Sequence, residues 1–514
     1  MGSFVRRVKT ASGATAVQIV HKRGRRVTGI DHIGSAHDAA QLALLLHAAQ
    51  EKLHQGQGVL DLGLAQTSDE PASKKPTATP VAGVGTPIAE STSSTVLWEA
   101  LSGVYSRLGF DTVSDDAFKA LVLGRIVEPA SKVDTIRVLG ELGVWAPSRA
   151  TIGRCLKRAV ERDYRTAIAH ACYQHLTASG PVAMVLYDVT TLHFETDRED
   201  RLRKVGMSKE RRVDPQVTVG LLTDTSGFPL AVHLFEGNKA ETTTLVPVLT
   251  EFRRAHPETD IVVVADAGML SAANLLALEE AGFSFIVGSR SAKTPYDLAE
   301  YLETRGNHFT DGQTIETIRR MGTGKKVRQR RVVYQYSFSR FQHDNRAINA
   351  MITRAEAVAC GERPLKKDRF VKVTGASKGV DWDLVERARF AAGLKGYVTN
   401  IGVEVMTGEQ VVAAYHDLYQ VERSFRMAKS DLAARPVFHR LRESIEAHLT
   451  IVFAALAVAR RAQALTGASI ASIVKTLRPL RTATISLGGQ RIQAPPRIPD
   501  EAQQMLDTLA RGGH

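Results

Sequence analysis

Three carboxylates stand out by their setting: Asp188 and Asp266, each closing a short apolar run, and Glu422 far downstream. Ala183-Met184-Val185-Leu186-Tyr187 leads into Asp188, and Ile261-Val262-Val263-Val264-Ala265 leads into Asp266. Acids carried to one edge of a sheet can share a divalent cation, and magnesium in particular is held by one or two carboxylates together with substrate phosphates. A two-metal site needs a third acid. Tyr415, Glu422 and Lys429 follow one another at seven-residue steps in a segment that reads as helical, so they share one face to within about 20° per step. A surface helix with an ordinary Glu to Lys pairing has the same spacing. The chemistry such a set would serve is displacement at phosphorus, with metals activating a water or 3′-hydroxyl and holding the leaving oxygen.

The elements that must position these acids are legible around them. Unbroken β-branched runs suit strands covered on both faces, so both aspartates are expected at strand ends. Between them, Gln216 to Leu222, the Asp224-Thr225-Ser226-Gly227 turn and Leu230 to Phe235 read as an antiparallel hairpin, followed by a helix over 241–255. A second helix over 271–281, with Ser271 as N-cap and Gly282 as stop, precedes a strand over 283–288. Acids on the first and fourth strands of that order correspond to the ribonuclease H arrangement, in which those two strands are neighbours. The expected fold class is α/β, a ribonuclease H-like mixed sheet. Its core occupies 179–290 and 391–465, split by a β-rich basic insertion over 291–390, and 466–514 reads as a C-terminal tail.

The chain of 514 residues carries a net charge of +13 and a pI near 9.6, which favours an acidic polymer as partner. Cys155, Cys172 and Cys360 are too scattered for a zinc knuckle or disulfide framework and read as reduced, in a cytoplasmic setting. No run is read as a membrane span or signal peptide. Residues 1–64 read as three short basic strands and a helix over 36–54, a candidate duplex-binding ribbon or simply a solvated basic face. Residues 65–95 read as a Ser, Thr, Pro, Ala and Gly linker. Residues 96–178 read as helical, with Pro147 to Arg158 either the start of a recognition helix or a packing element. In the insertion, the stretch from Arg319 to Arg340 holds eight Lys or Arg and no acid. Lys325, Lys326, Arg328, Arg330 and Arg331 are its candidate phosphate contacts. Trp382 reads first as a core residue, with stacking on an unpaired base as the alternative.

With these residues in view, the chain resembles the DDE transposases of bacterial insertion sequences, in the branch marked by a Tyr-Arg-Glu-Lys signature. Tyr415, Glu422 and Lys429 match that signature's spacing, although its arginine slot holds Leu418; Arg426, one turn past Glu422, can supply the charge. Further matches are Tyr187-Asp188-Val189-Thr190-Thr191, Gly206-Met207-Ser208-Lys209 with Arg212 to Gln216, Phe235-Glu236-Gly237-Asn238, Ala265-Asp266-Ala267-Gly268-Met269 and Arg435-Pro436-Val437-Phe438-His439-Arg440. The resemblance implies that Asp188, Asp266 and Glu422 form a catalytic triad holding two Mg2+ ions, with Mn2+ able to substitute. It implies DNA contacts from Tyr415, Arg426 and Lys429, and double-stranded DNA as partner, both terminal inverted repeats and target. A homodimer on DNA, in a bacterial cytoplasm at the nucleoid and away from membranes, completes the expectation. A haloacid-dehalogenase phosphatase needs an Asp where Thr190 stands. A non-catalytic DNA-binding protein derived from a transposase remains the alternative.

Overall fold

The computed structural model describes the chain except residues 1, 10–14, 24–25, 37–44, 46–48, 50–87, 197, 208–212, 258–260, 290–293, 307, 367, 375–376, 488–489 and 512–514. Two compact units are present, Met1–Ala82 and Gly83–His514. In the first, β1 (Gly2–Lys9), β2 (Thr15–Arg23) and β3 (Arg26–Ala36) form an antiparallel sheet in that order. Val17 and Ile19 of β2 are buried with Ala49, and Leu45 packs on them. Ala36 ends a strand rather than opening a helix; of 37–54, Leu45 and Ala49 are described and both are helical.

The second unit opens with β4 (Ile88–Ser93), which occupies the last part of the expected linker; the rest of 65–95 up to residue 87 lies outside the described residues. Five helices follow: α1 (Thr95–Arg107), α2 (Asp116–Val127), α3 (Lys132–Glu141), α4 (Arg149–Glu161) and α5 (Tyr164–Thr177). Asp115, Ser131, Ser148 and Asp163 cap α2 to α5, each side chain accepting from a backbone N–H of the first turn. Ile152, Cys155, Leu156 and Ala159 of α4 are buried, so one face of Arg149–Glu161 packs into the core.

The main sheet has eight strands. Its members are β5 (Met184–His193), β6 (Gln216–Thr223), β7 (Pro229–Glu236), β8 (Val262–Ala265), β9 (Ser284–Gly288), β10 (Thr314–Met321), β11 (Arg328–Tyr336) and β14 (Leu394–Thr399). Their spatial order is β10-β11-β14-β9-β8-β5-β6-β7. β5, β8 and β9 pair in parallel; the other pairings are antiparallel. α6 (Leu245–Ala255) and α7 (Ala272–Glu280) join the core on one face, which also takes Tyr187, Val263 and Phe285. β6 and β7 meet the segment before them so closely that a Cβ on Gly237 would lie 2.0 Å from the Gln216 carbonyl oxygen, which accounts for a glycine in that match.

The stretch 291–390 is not a separate β-rich insertion. After the short α8 (Thr294–Asp297) and α9 (Ala299–Arg305), β10 and β11 extend the main sheet, because Val332 and Tyr334 face one core and Val333 the other. What intervenes between β11 and β14 is mainly helical: α10 (Phe338–Ala359), the β12–β13 hairpin (Val371–Thr374, Ser377–Val380) and α11 (Trp382–Phe390). These share a small core of Ile348, Ile352, Phe370 and Val385. Trp382 lies outside that core and is 54% exposed, against its expected burial.

α12 (Gly408–His416) and α13 (Tyr419–Ser430) follow, then α14 (Arg442–Thr466). By length and composition α14 is apolar enough to cross a membrane; here two-thirds of its most apolar stretch is buried, in the core it shares with α2, α4 and α13. Residues 466–514 are no tail either. α15 (Ile470–Leu477), β15 (Thr482–Leu487), β16 (Gln490–Ala494) and α16 (Asp500–Arg511) close over the helical region, with β15 paired to β4 and α16 against α1.

Candidate active site

β5 and β8 set the two aspartates. They run parallel with Tyr187 opposite Ala265, so the next residue on each is an aspartate and Asp188 falls beside Asp266. β8 ends there and turns into the 3-10 turn Ala267–Met269, whereas β5 continues to His193 against β6. Asp188 therefore lies inside its strand, not at its end, at the point where the parallel neighbour peels away. Alternation along β5 puts Tyr187 and Val189 in one core and Leu186 and Leu192 in the other; Asp188 and Thr190 share the face of Leu186 and Leu192. Both aspartates are half-buried.

Tyr415, near the end of α12, donates from its hydroxyl to Asp266 Oδ1 at 2.8 Å. Burial, and then the negative charge of Asp266, push its phenol well above the ordinary value, so it stays protonated and donating. Gly288 leaves the room for this: a Cβ there would lie 2.6 Å from the Tyr415 hydroxyl oxygen. Lys429, in the last turn of α13, donates to Thr190 Oγ1, two residues beyond Asp188. The signature tyrosine thus bonds the aspartate that follows β8, and the lysine bonds β5 two residues beyond Asp188.

Glu422 behaves differently. Between His416 and Tyr419 the helix is interrupted: the Leu418 N–H bonds Tyr415 O and the Gln420 N–H bonds Asp417 O, three-residue steps instead of four. The seven-residue spacing therefore no longer returns Glu422 to the face of Tyr415. Its carboxylate is exposed, as is the side chain of Arg426, while Leu418 is buried. Among the described residues no three His, Cys, Asp or Glu come together as a group that could hold a metal ion, so the expected convergence of all three acids is not met here. Asp188 and Asp266 each follow the last residues paired between β5 and β8, Tyr187 and Ala265, and as carboxylates offer the oxygen donors that a hard cation takes.

The five basic candidates divide. Lys325, Lys326 and Arg328 are exposed around the turn into β11. Arg330 and Arg331 do not face outward, contrary to expectation. Arg330 is 2% exposed and pairs through Nε and Nη2 with Glu279 of α7 at 2.7 and 2.8 Å. Arg331 pairs with Glu316 at 2.7 and 2.8 Å and donates to the Met406 carbonyl oxygen. Arg319, from the same basic run, is likewise buried against Asp297. The acids that take up these charges lie elsewhere in the sequence, so the acid-free run looked like surface charge.

Sequence reasoning passed over two neighbours of the aspartates. Lys395 of β14 lies with its ammonium 5.3 Å from the centre of the Tyr415 ring; burial and then Arg340 lower its pKa, with Asp266 acting the other way. Period-two alternation with Tyr397, whose ring centre is 4.7 Å from that of Tyr415, would have identified its face. Glu241 reaches over the turn after Asp266, its Oε2 2.5 Å from where a Cβ on Gly268 would sit.

Comparison with known proteins gives two findings. One solved structure that resembles the chain is the cryo-EM structure of a piggyBac transposase synaptic complex with hairpin DNA, at 11% identity, with a TM-score of 0.36, covering 82% of this chain and 79% of that one. A likeness at that level is too loose to carry an inference. No curated protein matches the chain. The family model for the transposase DDE domain matches residues 184–458, more than half of the 514 and running from the start of β5 into α14, and the chain therefore belongs to the DDE-domain transposase family.

Proposed function

We propose that the protein cuts DNA strands and transfers them at the ends of an insertion sequence, in the bacterial cytoplasm, with Asp188, Asp266 and Glu422 as metal ligands. The observation that carries this reading is the placement of Asp188 beside Asp266 where β8 leaves the sheet, with Tyr415 bonded to Asp266 and Lys429 to Thr190 of β5. The strand order β7-β6-β5-β8-β9, antiparallel and then parallel, supports a ribonuclease H-like core. Asp188 and Asp266 would hold Mg2+ or Mn2+, with Glu422 joining from α13 when DNA is bound. The ions supply activation of the attacking oxygen and charge stabilisation at phosphorus.

Each remaining task belongs to the chain's own residues. Tyr415 fixes the rotamer of Asp266 by donating to one carboxylate oxygen, leaving the other free. Lys429 keeps a cation two residues from Asp188, where it can offset the charge of a scissile phosphate. Exposed Lys325, Lys326, Arg328 and Arg426 contact the backbone of duplex DNA, which positions without reading sequence. Glu422's exposed position favours a second reading, a DNA-binding protein without strand cleavage. A nicking assay with Mg2+ on DNA carrying the element's ends separates the two. Cleavage by the wild type, lost in Asp188→Asn while DNA affinity stays within about twofold, is the expected result, since the change removes a ligand charge and no phosphate contact. Binding without any nicking selects the second reading.

A further inference from the structure

A cavity of about 740 Å³ opens beside Asp266, between the main sheet and the helical segment that separates β11 from β14. Ala267, the residue after Asp266, forms part of its wall, as does Lys395 of β14. Arg340 on α10 and Arg387 on α11 face it from the helical side, and Arg369 stands between those helices. Among the described residues Asp344 is the one acid in the lining, and its carboxylate accepts from the Gly393 N–H at 3.1 Å. Tyr296, 63% exposed, completes the rim and accepts through its hydroxyl from Arg387 at 3.2 Å.

The occupant follows from size and charge. Four cations around one engaged carboxylate call for a polyanion. A volume within the roughly 300–1,000 Å³ of small-ligand cavities excludes a double helix but admits the backbone of one strand. A cationic groove with an aromatic at its edge is how single strands are held without sequence preference. The geometry points to this cavity as the seat of an unpaired DNA strand running past the cutting site, its phosphates on Lys395 and Arg340 and a base against Tyr296. This rests on the reading of the protein as a DNA-cutting enzyme and adds where the strand freed from the duplex goes. Lys395 serves as a positioning residue, joining the cavity to the Tyr415–Asp266 pair.

Binding of the full-length protein to a blunt duplex and to the same duplex with an oligothymidine tail, across a salt series, tests it. Lys395→Gln with Arg340→Gln should weaken binding of the tailed duplex roughly tenfold and flatten its salt dependence by roughly 1.4 log units per log unit of salt, two contacts at about 0.7 each. Binding of the blunt duplex should be unchanged. Arg340 is exposed, so Arg340→Gln alone gives half the flattening even where the Lys395 change disturbs folding. Equal losses on both duplexes, or none on either, overturn the assignment while leaving the enzyme reading intact. Displacement of the tail by thymidine monophosphate at concentrations matching the tail's own affinity also overturns it, making the cavity a mononucleotide site. A wild type that binds neither duplex removes both proposals together.

Discussion

Tyr415 touches Asp266 through a single hydroxyl, so its contribution can be separated from folding. A hydrogen bond to a charged acceptor is worth about 1.5–3 kcal/mol. Tyr415→Phe should therefore slow metal-dependent cleavage by about tenfold or more if that orientation is needed in the transition state, with little change in melting temperature. Gly288→Ala should give the same defect by another route, since its Cβ would sit 2.6 Å from the hydroxyl oxygen and push the ring aside. A Phe variant that cuts at the wild-type rate would show that Asp266 needs no orienting donor. At this scale the sequence singled out Asp188, Asp266, Tyr415 and Lys429 because apolar runs closed by an acid and seven-residue spacing are local patterns. It misjudged Arg330 and Arg331 because Glu279 and Glu316, which take up their charges, reach them only through the sheet and the helix behind it. It passed over Lys395 because a lone lysine in a short strand has no local pattern to distinguish it.

Among the elements, α2 illustrates how one side chain ties several together. Asp115 caps it, accepting from the Ala117 and Phe118 N–H groups at 3.1 Å, and also accepts from Arg158 of α4 and the Tyr164 hydroxyl of α5. Burial works against its ionisation, yet the hydrogen bonds from Arg158, Phe118 and Tyr164 hold its carboxyl below the ordinary value. A group whose pKa falls on folding stabilises the protein above its unfolded pKa, about 3.9, and loses that contribution as pH drops through the folded value. Asp115→Ala should cost about 2–4 kcal/mol at neutral pH, as a lost cap combined with a broken part-buried pair. Thermal melts should show the gap to wild type closing as pH is lowered below about 3.9; a gap independent of pH would mean that packing, not charge, is what Asp115 supplies. The cap at Ser271 follows a short-range rule, and the order β5 to β9 came from hydrophobic runs and turn residues. The joining of β10 and β11 to the sheet edge was not legible, because a strand's partner is set by long-range register. Nor was the break at Asp417–Leu418, which separates Tyr415 from the face that Glu422 and Lys429 share on α13.

Across the whole of the second unit, the residues read as a tail are what close the helical region. Ile470, Ile473 and Leu477 of α15 and Leu509 of α16 are each at most 2% exposed, and Leu97 and Leu101 of α1 belong to the same core. β15 gives β4 its partner, from Thr482 opposite Ser93 to Ser486 opposite Ile88. Arg478 joins Glu128 at 2.6 Å and Glu141 at 2.8 Å, while its carbonyl oxygen accepts from the Ser94 hydroxyl at 2.6 Å. Removing residues 467–514 would leave β4 with unpaired edges and expose the apolar face of α1. The truncated chain should therefore aggregate or lose its cooperative melt, although every site residue remains in it. Ile473→Asp tests the same packing with one atom-scale change: a carboxylate at a fully buried position should cost several kcal/mol, read as a large fall in melting temperature of the full-length protein. Cleavage measured well below that lowered melting point should persist, because α15 supplies no residue to the site around Asp188. A truncation that melts like the parent would return 467–514 to the status of a tail and leave α1 needing some other cover.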